Sequence, residues 1–135
     1  MKDPLTESII GAAIEVHRHL GPGLLESIYE EALCMELDLR GIPYERQAQV
    51  DVLYKGKVIK GQRIDLIVAG EVIVEIKAVT RLADFATAQI LSYLKTTNLK
   101  KALLLNFSAE RMVDGIKRFT AGASYLPEIT ELSQP

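Results

Sequence analysis

Residues 63–77 read Arg63-Ile64-Asp65-Leu66-Ile67-Val68, then Ala69-Gly70-Glu71, then Val72-Ile73-Val74-Glu75-Ile76-Lys77. Two β-branched runs around a three-residue segment with a central glycine predict an antiparallel hairpin, glycine supplying the left-handed position. Val68 then pairs with Val72, and counting back sets Ile67 opposite Ile73, Asp65 opposite Glu75 and Arg63 opposite Lys77. One face of the ribbon is apolar, formed by Ile64, Leu66, Val68, Val72, Val74 and Ile76. The other sets two carboxylates across from each other, with about 5 Å between their Cβ atoms. Like charges so placed destabilise a sheet unless something offsets them.

Outward from this hairpin the period changes. From Tyr44 to Val79 it is two, with Gly56, Gly61 and Gly70 punctuating three strands of an antiparallel meander. Upstream the spacing is helical. Asp3-Pro4 is an N-cap followed by proline at the first helical position, and Ile9, Ala13 and Val16 continue the helix to Gly21-Pro22-Gly23. A second helix, from about Leu24 to Arg40, places Leu25, Ile28, Tyr29, Ala32, Leu33 and Leu37 on one broad face and ends at Gly41 before Pro43. Downstream, residues 83–96 return to a helical pattern, 101–107 form a short apolar strand, and 110–119 form a last helix. The order ααβββαβα gives an α/β domain over residues 1–120, with helices covering one sheet and a loosely held tail over 121–135.

The chain has 135 residues, of which 48% are hydrophobic and 25% charged. These are globular values, which exclude disorder, collagen and coiled coil. Runs such as 66–69 and 102–105 fall far short of the ~20 apolar residues of a membrane helix, so no membrane partner is expected and the chain reads as cytoplasmic. The single cysteine, Cys34, excludes an internal disulfide, and with only His17 and His19 nearby a thiolate zinc site is unsupported. The net charge of -2 excludes bulk coating of nucleic acid. Its distribution is uneven. Residues 1–51 carry four basic and ten acidic side chains, whereas residues 80–120 carry seven basic and three acidic. A polyanion therefore meets a positive second half.

A divalent cation converts the repulsion between Asp65 and Glu75 into attraction, because paired carboxylates suit Mg²⁺ or Mn²⁺, which keep waters for substrate oxygens to replace. Lys77, on the same face, points its ammonium at the same place, where it can orient or deprotonate an attacking water or stabilise an oxyanion. This is the equipment of metal-assisted phosphodiester hydrolysis. The plainer alternative is an exposed sheet face on which Arg63, Asp65, Glu75 and Lys77 form ion pairs worth at most about 1 kcal/mol each. Glu26, at the margin of the second helix's apolar face, is either a further acid for the metal or a first-turn acid favoured by the helix dipole. Gln89 and Tyr93, spaced i, i+4, project from one face of the next helix toward the end of the Glu75-Ile76-Lys77 strand or simply form its flank.

Glu26, Asp65, Glu75-x-Lys77 and Gln89-x3-Tyr93 occur in the order expected of the PD-(D/E)XK nuclease superfamily. The phrase Gly23-Leu24-Leu25-Glu26-Ser27-Ile28-Tyr29 resembles the signature of its GxxExxY branch, as does the stretch from Val16 to Gly23. The resemblance covers about residues 5–119. It implies a restriction-endonuclease-like core, a mixed sheet flanked by helices. It also implies that Asp65 and Glu75 bind Mg²⁺ or Mn²⁺ with the Ile76 carbonyl and Glu26, and that Lys77 is the catalytic lysine. Gln89 and Tyr93 would belong to the substrate side. The implied function is a metal-dependent nuclease acting on DNA or RNA, with a homodimer admissible. The alternative is a catalytically silent nuclease fold that serves as a nucleic-acid or protein interaction module. A third reading is a structural α/β protein whose acidic pair decorates the surface.

Overall fold

The computed structural model describes residues 3–121 and 127–131. In it the central hairpin joins β2 (Lys57–Val68) to β3 (Val72–Lys77), with Val68 opposite Val72, Ile67 opposite Ile73 and Leu66 opposite Val74. Ala69 and Gly70 both have positive φ, at 53° and 68°, and the Glu71 N–H donates to the Val68 carbonyl at 2.9 Å. A turn of this hand matches the right-handed twist of its strands.

Two helices precede the sheet. In α1 (Pro4–Leu20), the Asp3 carboxylate caps the first turn by accepting from the Thr6 N–H at 2.9 Å. Lys101 stands 3.0 Å from Asp3, and the hydrogen bonds from Lys101 and Thr6 hold this carboxyl at about 2. The second helix, α2, spans Glu26–Leu39, and β1 (Tyr44–Tyr54) then pairs antiparallel with β2. After β3 the chain crosses through α3 (Asp84–Thr97) to β4 (Lys101–Asn106), which is parallel to β3. A crossover helix is the ordinary connection between parallel strands. β5 (Ile116–Ala121) and β6 (Pro127–Glu131) complete a six-stranded mixed sheet in the order β1-β2-β3-β4-β5-β6.

Helices cover both faces. α1 and α2 pack through Ile9, Ala13, Tyr29 and Leu33 on Leu66, Val74, Leu103 and Leu105, while α3 packs through Ile90 and Tyr93 on Ile73, Leu104 and Phe119. This explains the unbroken apolar run of β4, because alternate residues enter opposite cores and neither face meets water. Among the described residues no helix is long and apolar enough to cross a membrane.

The expected last helix over 110–119 does not form. The chain makes a 3₁₀ turn at Met112–Gly115 and then enters β5. Ile116 and Phe119, three apart, look helical in sequence, but in a strand that odd spacing sends one side chain to each face. Ile116 joins the α1–α2 core and Phe119 the α3 core. At Gly115 a Cβ would lie 2.1 Å from the Asn106 carbonyl oxygen, so the turn into β5 needs glycine. The expected tail also contributes structure, because 127–131 pair with β5. Its residues 122–126 and 132–135 lie outside the described residues.

Candidate functional site

The regular β2–β3 ladder ends at Leu66 and Val74, one step short of the two carboxylates. Beyond it, the Asp65 backbone N–H donates to Glu75 Oε1 at 2.9 Å and the Ile76 backbone N–H donates to Asp65 Oδ2 at 2.9 Å. Carboxylate oxygens thus stand where strand carbonyls would accept. The other edge of β2 is disturbed at the same level. Arg46 pairs with Leu66 and Ala48 with Ile64, while Gln47, between them, has a φ of 52°. The pleat consequently switches sides. Leu66 enters the α1–α2 core and Ile64, two residues away, enters the α3 core, so the expected apolar face is corrected at Ile64.

The pair sits in a low dielectric. Glu75 is 3% exposed, and burial, reinforced by the Asp65 charge, pushes its carboxyl up to about 7. Burial also raises Asp65. The Ile76 N–H counteracts that shift and the Glu30 charge adds to it. The Lys77 charge favours ionisation of both acids. Its ammonium donates to Gln89 Oε1 at 3.4 Å, which ties the end of β3 to α3. Tyr93, one turn further along α3, is 2% exposed, and its hydroxyl donates to the Arg63 carbonyl at 3.0 Å. Burial and the Glu75 and Asp65 charges push this phenol up to about 12.

Opposite Asp65, α2 forms the far wall of a cavity of about 620 Å³ lined by Glu26, Ser27, Glu30, Gln47 and Asp65 among others. Glu26 is exposed and opens the helix. The buried acid is Glu30, one turn later and 8% exposed. It accepts from Arg46 Nε at 2.7 Å and from Gln47 Nε2 at 2.9 Å. Gln47 Nε2 also reaches Asp65 Oδ1 at 3.4 Å, so one amide bridges acids from a helix and a strand. Sequence reasoning passed over Glu30 and Gln47. The available signal was the i, i+4 spacing from Glu26, which sets Glu30 on the same side of the helix.

Tyr29 gives the Gly23-x-x-Glu26-x-x-Tyr29 phrase a physical meaning. Its ring is fully buried and stacks on Phe107, with 4.6 Å between centroids. Its hydroxyl donates to the Gly21 carbonyl at 2.5 Å and accepts from the Leu24 N–H at 3.1 Å. The loop that delivers Glu26 to the cavity is therefore pinned at both ends by the tyrosine that follows.

The histidines lie elsewhere. His17 is buried and bonds the Ala109 carbonyl at 2.7 Å, and His19 pairs with Glu15 at 3.1 Å. Among the described residues no group of three or more His, Cys, Asp or Glu side chains is arranged to hold a metal ion. Asp65 and Glu75 are nevertheless hard oxygen donors of the kind Mg²⁺ and Mn²⁺ take, and such ions need only one or two carboxylates beside water. The donor chemistry of the pair fits a divalent cation.

A sequence model of the PD-(D/E)XK nuclease superfamily matches residues 3–119, from the cap of α1 into β5. The chain belongs to the PD-(D/E)XK nuclease superfamily. The matched residues include every side chain of the cavity and of the Asp65, Glu75 and Lys77 cluster. The chain is also similar to the crystal structure of SSO0001, at 20% identity and a TM-score of 0.41, over 86% of this chain and 76% of that one. None of the curated proteins matches it.

Proposed function

We propose that this member of the PD-(D/E)XK nuclease superfamily acts as a catalytically silent nuclease fold, an interaction module whose partner is nucleic acid. The supporting observation is the use of both acids as backbone acceptors: Asp65 holds the Ile76 N–H and Glu75 holds the Asp65 N–H. One oxygen of each carboxylate is held in this way, so a cation that turns either group to take both of its oxygens competes with an amide inside the sheet, and an amide left unbonded costs about 1–3 kcal/mol. Superfamily membership supports nucleic acid over protein as the partner.

A second reading, metal-dependent phosphodiester hydrolysis, is favoured by the junction of Asp65, Glu75 and Lys77 beside an open cavity. Asp65 and Glu75 would hold Mg²⁺ or Mn²⁺, with the Ile76 carbonyl and Glu26 as further donors. The cation would supply an activated water and offset phosphate charge. Lys77, steadied by Gln89, would orient that water or stabilise the oxyanion, and Tyr93 would hold the base of β2 against α3.

A panel of DNA and RNA substrates, assayed for both binding and cleavage in Mg²⁺ and Mn²⁺ beside Lys77→Ala, decides between the two readings. Binding without turnover is expected. Turnover that disappears in Lys77→Ala would establish the second reading, and the absence of both binding and turnover would reject nucleic acid as the partner.

A further inference from the structure

β1 and β2 run on together well past the sheet. Continuing the β2–β3 register, the residues of β2 before Arg63 lie beyond Lys77, where β3 ends, so the β1–β2 ribbon overhangs the end of the sheet that carries the acids. Its root is packed. Val50 and Ile64 enter the α3 core and Tyr93 bonds the Arg63 carbonyl. Its outer part is bare, every residue from 51 to 61 being exposed. A register shift between Val50 and Val52 separates the two parts, and a bulge there bends a ribbon and tightens its twist.

The composition of this projection differs from that of the acidic chain that carries it. Residues 51–63 hold Lys55, Lys57, Lys60 and Arg63 against one acid, Asp51, which Lys60 meets at 3.2 Å. Between the cations stand apolar side chains in cross-strand pairs, Val52 with Ile59 and Leu53 with Val58, and Leu53 is 70% exposed. Tyr54, 60% exposed, has the Lys55 ammonium 5.5 Å from its ring centroid. Three of the seven basic residues over 80–120 form ion pairs with acids of the same chain. Lys101 pairs with Asp3, Arg111 with Asp114 and Arg118 with Glu7.

We propose that the β1–β2 ribbon is a nucleic-acid arm that lies in a groove of a duplex whose backbone passes the Asp65–Lys77 end of the sheet. This rests on the reading of the protein as a nucleic-acid-binding fold. A two-stranded ribbon is narrow enough to enter a DNA groove, its lysines meet phosphates on the rims, and its apolar residues contact sugars and thymine methyl groups. The charge sign also disfavours a symmetric contact between the ribbons of two copies, because two such ribbons repel each other. At about 3.3 Å per residue, Lys57 stands roughly 26 Å along β2 from Asp65, the rise of about eight base pairs. The arm grips the duplex most of a helical turn away from the acids.

The test is fluorescence anisotropy of the full chain on a duplex of about 20 bp, in EDTA, between about 50 and 200 mM salt. The variant Lys55→Ala/Lys57→Ala/Lys60→Ala should bind roughly tenfold or more weakly, and its log–log salt slope should be shallower by about 0.9 for each lysine that neutralised a phosphate. An unchanged affinity and slope overturn the arm while leaving the nucleic-acid reading intact. A parent chain that binds no duplex overturns both. Self-association of the parent that Leu53→Asp disperses overturns the proposal in favour of a contact between copies. Lys57→Cys provides a second measurement that does not depend on affinity. Cys34 is buried, so a thiol-directed photocrosslinker labels position 57. It should join to the duplex, and crosslinking no greater than from the same label at Asp38→Cys, on exposed α2 surface, overturns the arm.

Discussion

The Asp65 carboxylate and the Glu75 carboxylate each take a backbone N–H from the opposite strand, at 2.9 Å in both cases. Two acids that would repel across a regular ladder instead bind the ends of that ladder together. Their charges remain close in a buried setting, and several consequences can be measured.

Glu75→Gln should stabilise the metal-free protein at pH 8 and have little effect near pH 4. Burial raises the folded pKa of Glu75 to about 7 from an ordinary 4.5, so the native state binds the proton more tightly than the unfolded chain does. The group's contribution is fully present below pH 4.5 and is lost as pH rises through 7. The shift corresponds to on the order of 3 kcal/mol. Melting curves of parent and variant from pH 4 to pH 8 should diverge across that window, and parallel curves would mean that Glu75 carries no such shift.

On the hydrolytic reading, Asp65→Ala should abolish Mn²⁺ binding measured by calorimetry, whereas Lys77→Ala should retain it, because only the former removes an oxygen donor; on the silent-fold reading the parent itself binds Mn²⁺ weakly or not at all. A cation at about 100 times its dissociation constant raises native stability by roughly 2.7 kcal/mol if the unfolded chain binds none. A parent Tm indifferent to Mg²⁺ and Mn²⁺ would argue against a cation at the pair.

Gln47→Gly should be more stable than Gln47→Ala by about 1 kcal/mol, since alanine at a φ of 52° retains the left-handed penalty that glycine escapes. Both variants lose the amide between Glu30 and Asp65. Equal stabilities in chemical denaturation would show that position 47 relaxes to ordinary strand geometry.

Tyr29→Phe keeps the stack on Phe107 and deletes the hydroxyl that bridges Gly21 and Leu24. The expected loss is about 1–2 kcal/mol, together with faster hydrogen exchange at the Leu24 amide. Unchanged exchange there would show that the loop before Glu26 is held by other contacts.

The hairpin at 69–71, the N-cap at Asp3 and the β1–β2–β3 meander were legible in the sequence because each follows from local rules. Loop length fixes a register, a capping side chain starts a helix, and period two marks a strand. The approach of Asp65 to Glu75 was legible for the same reason, since their separation follows from a turn only four residues from each of them.

The remaining features depended on elements far apart in the chain. Whether 110–119 curl into a helix or lie flat as β5 turns on β4 offering an open edge and on both faces being covered, which spacing within ten residues cannot report. Glu30 became part of the site only because α2 packs where β1 brings Arg46 and Gln47 beneath it. The ladder broke at Asp65 because both carboxylates took backbone N–H groups, Glu75 in the buried interior and Asp65 at the wall of the cavity. Periodicity alone determined that Asp65 and Glu75 would meet. Burial, which depends on every layer of the fold at once, decided what they do when they meet.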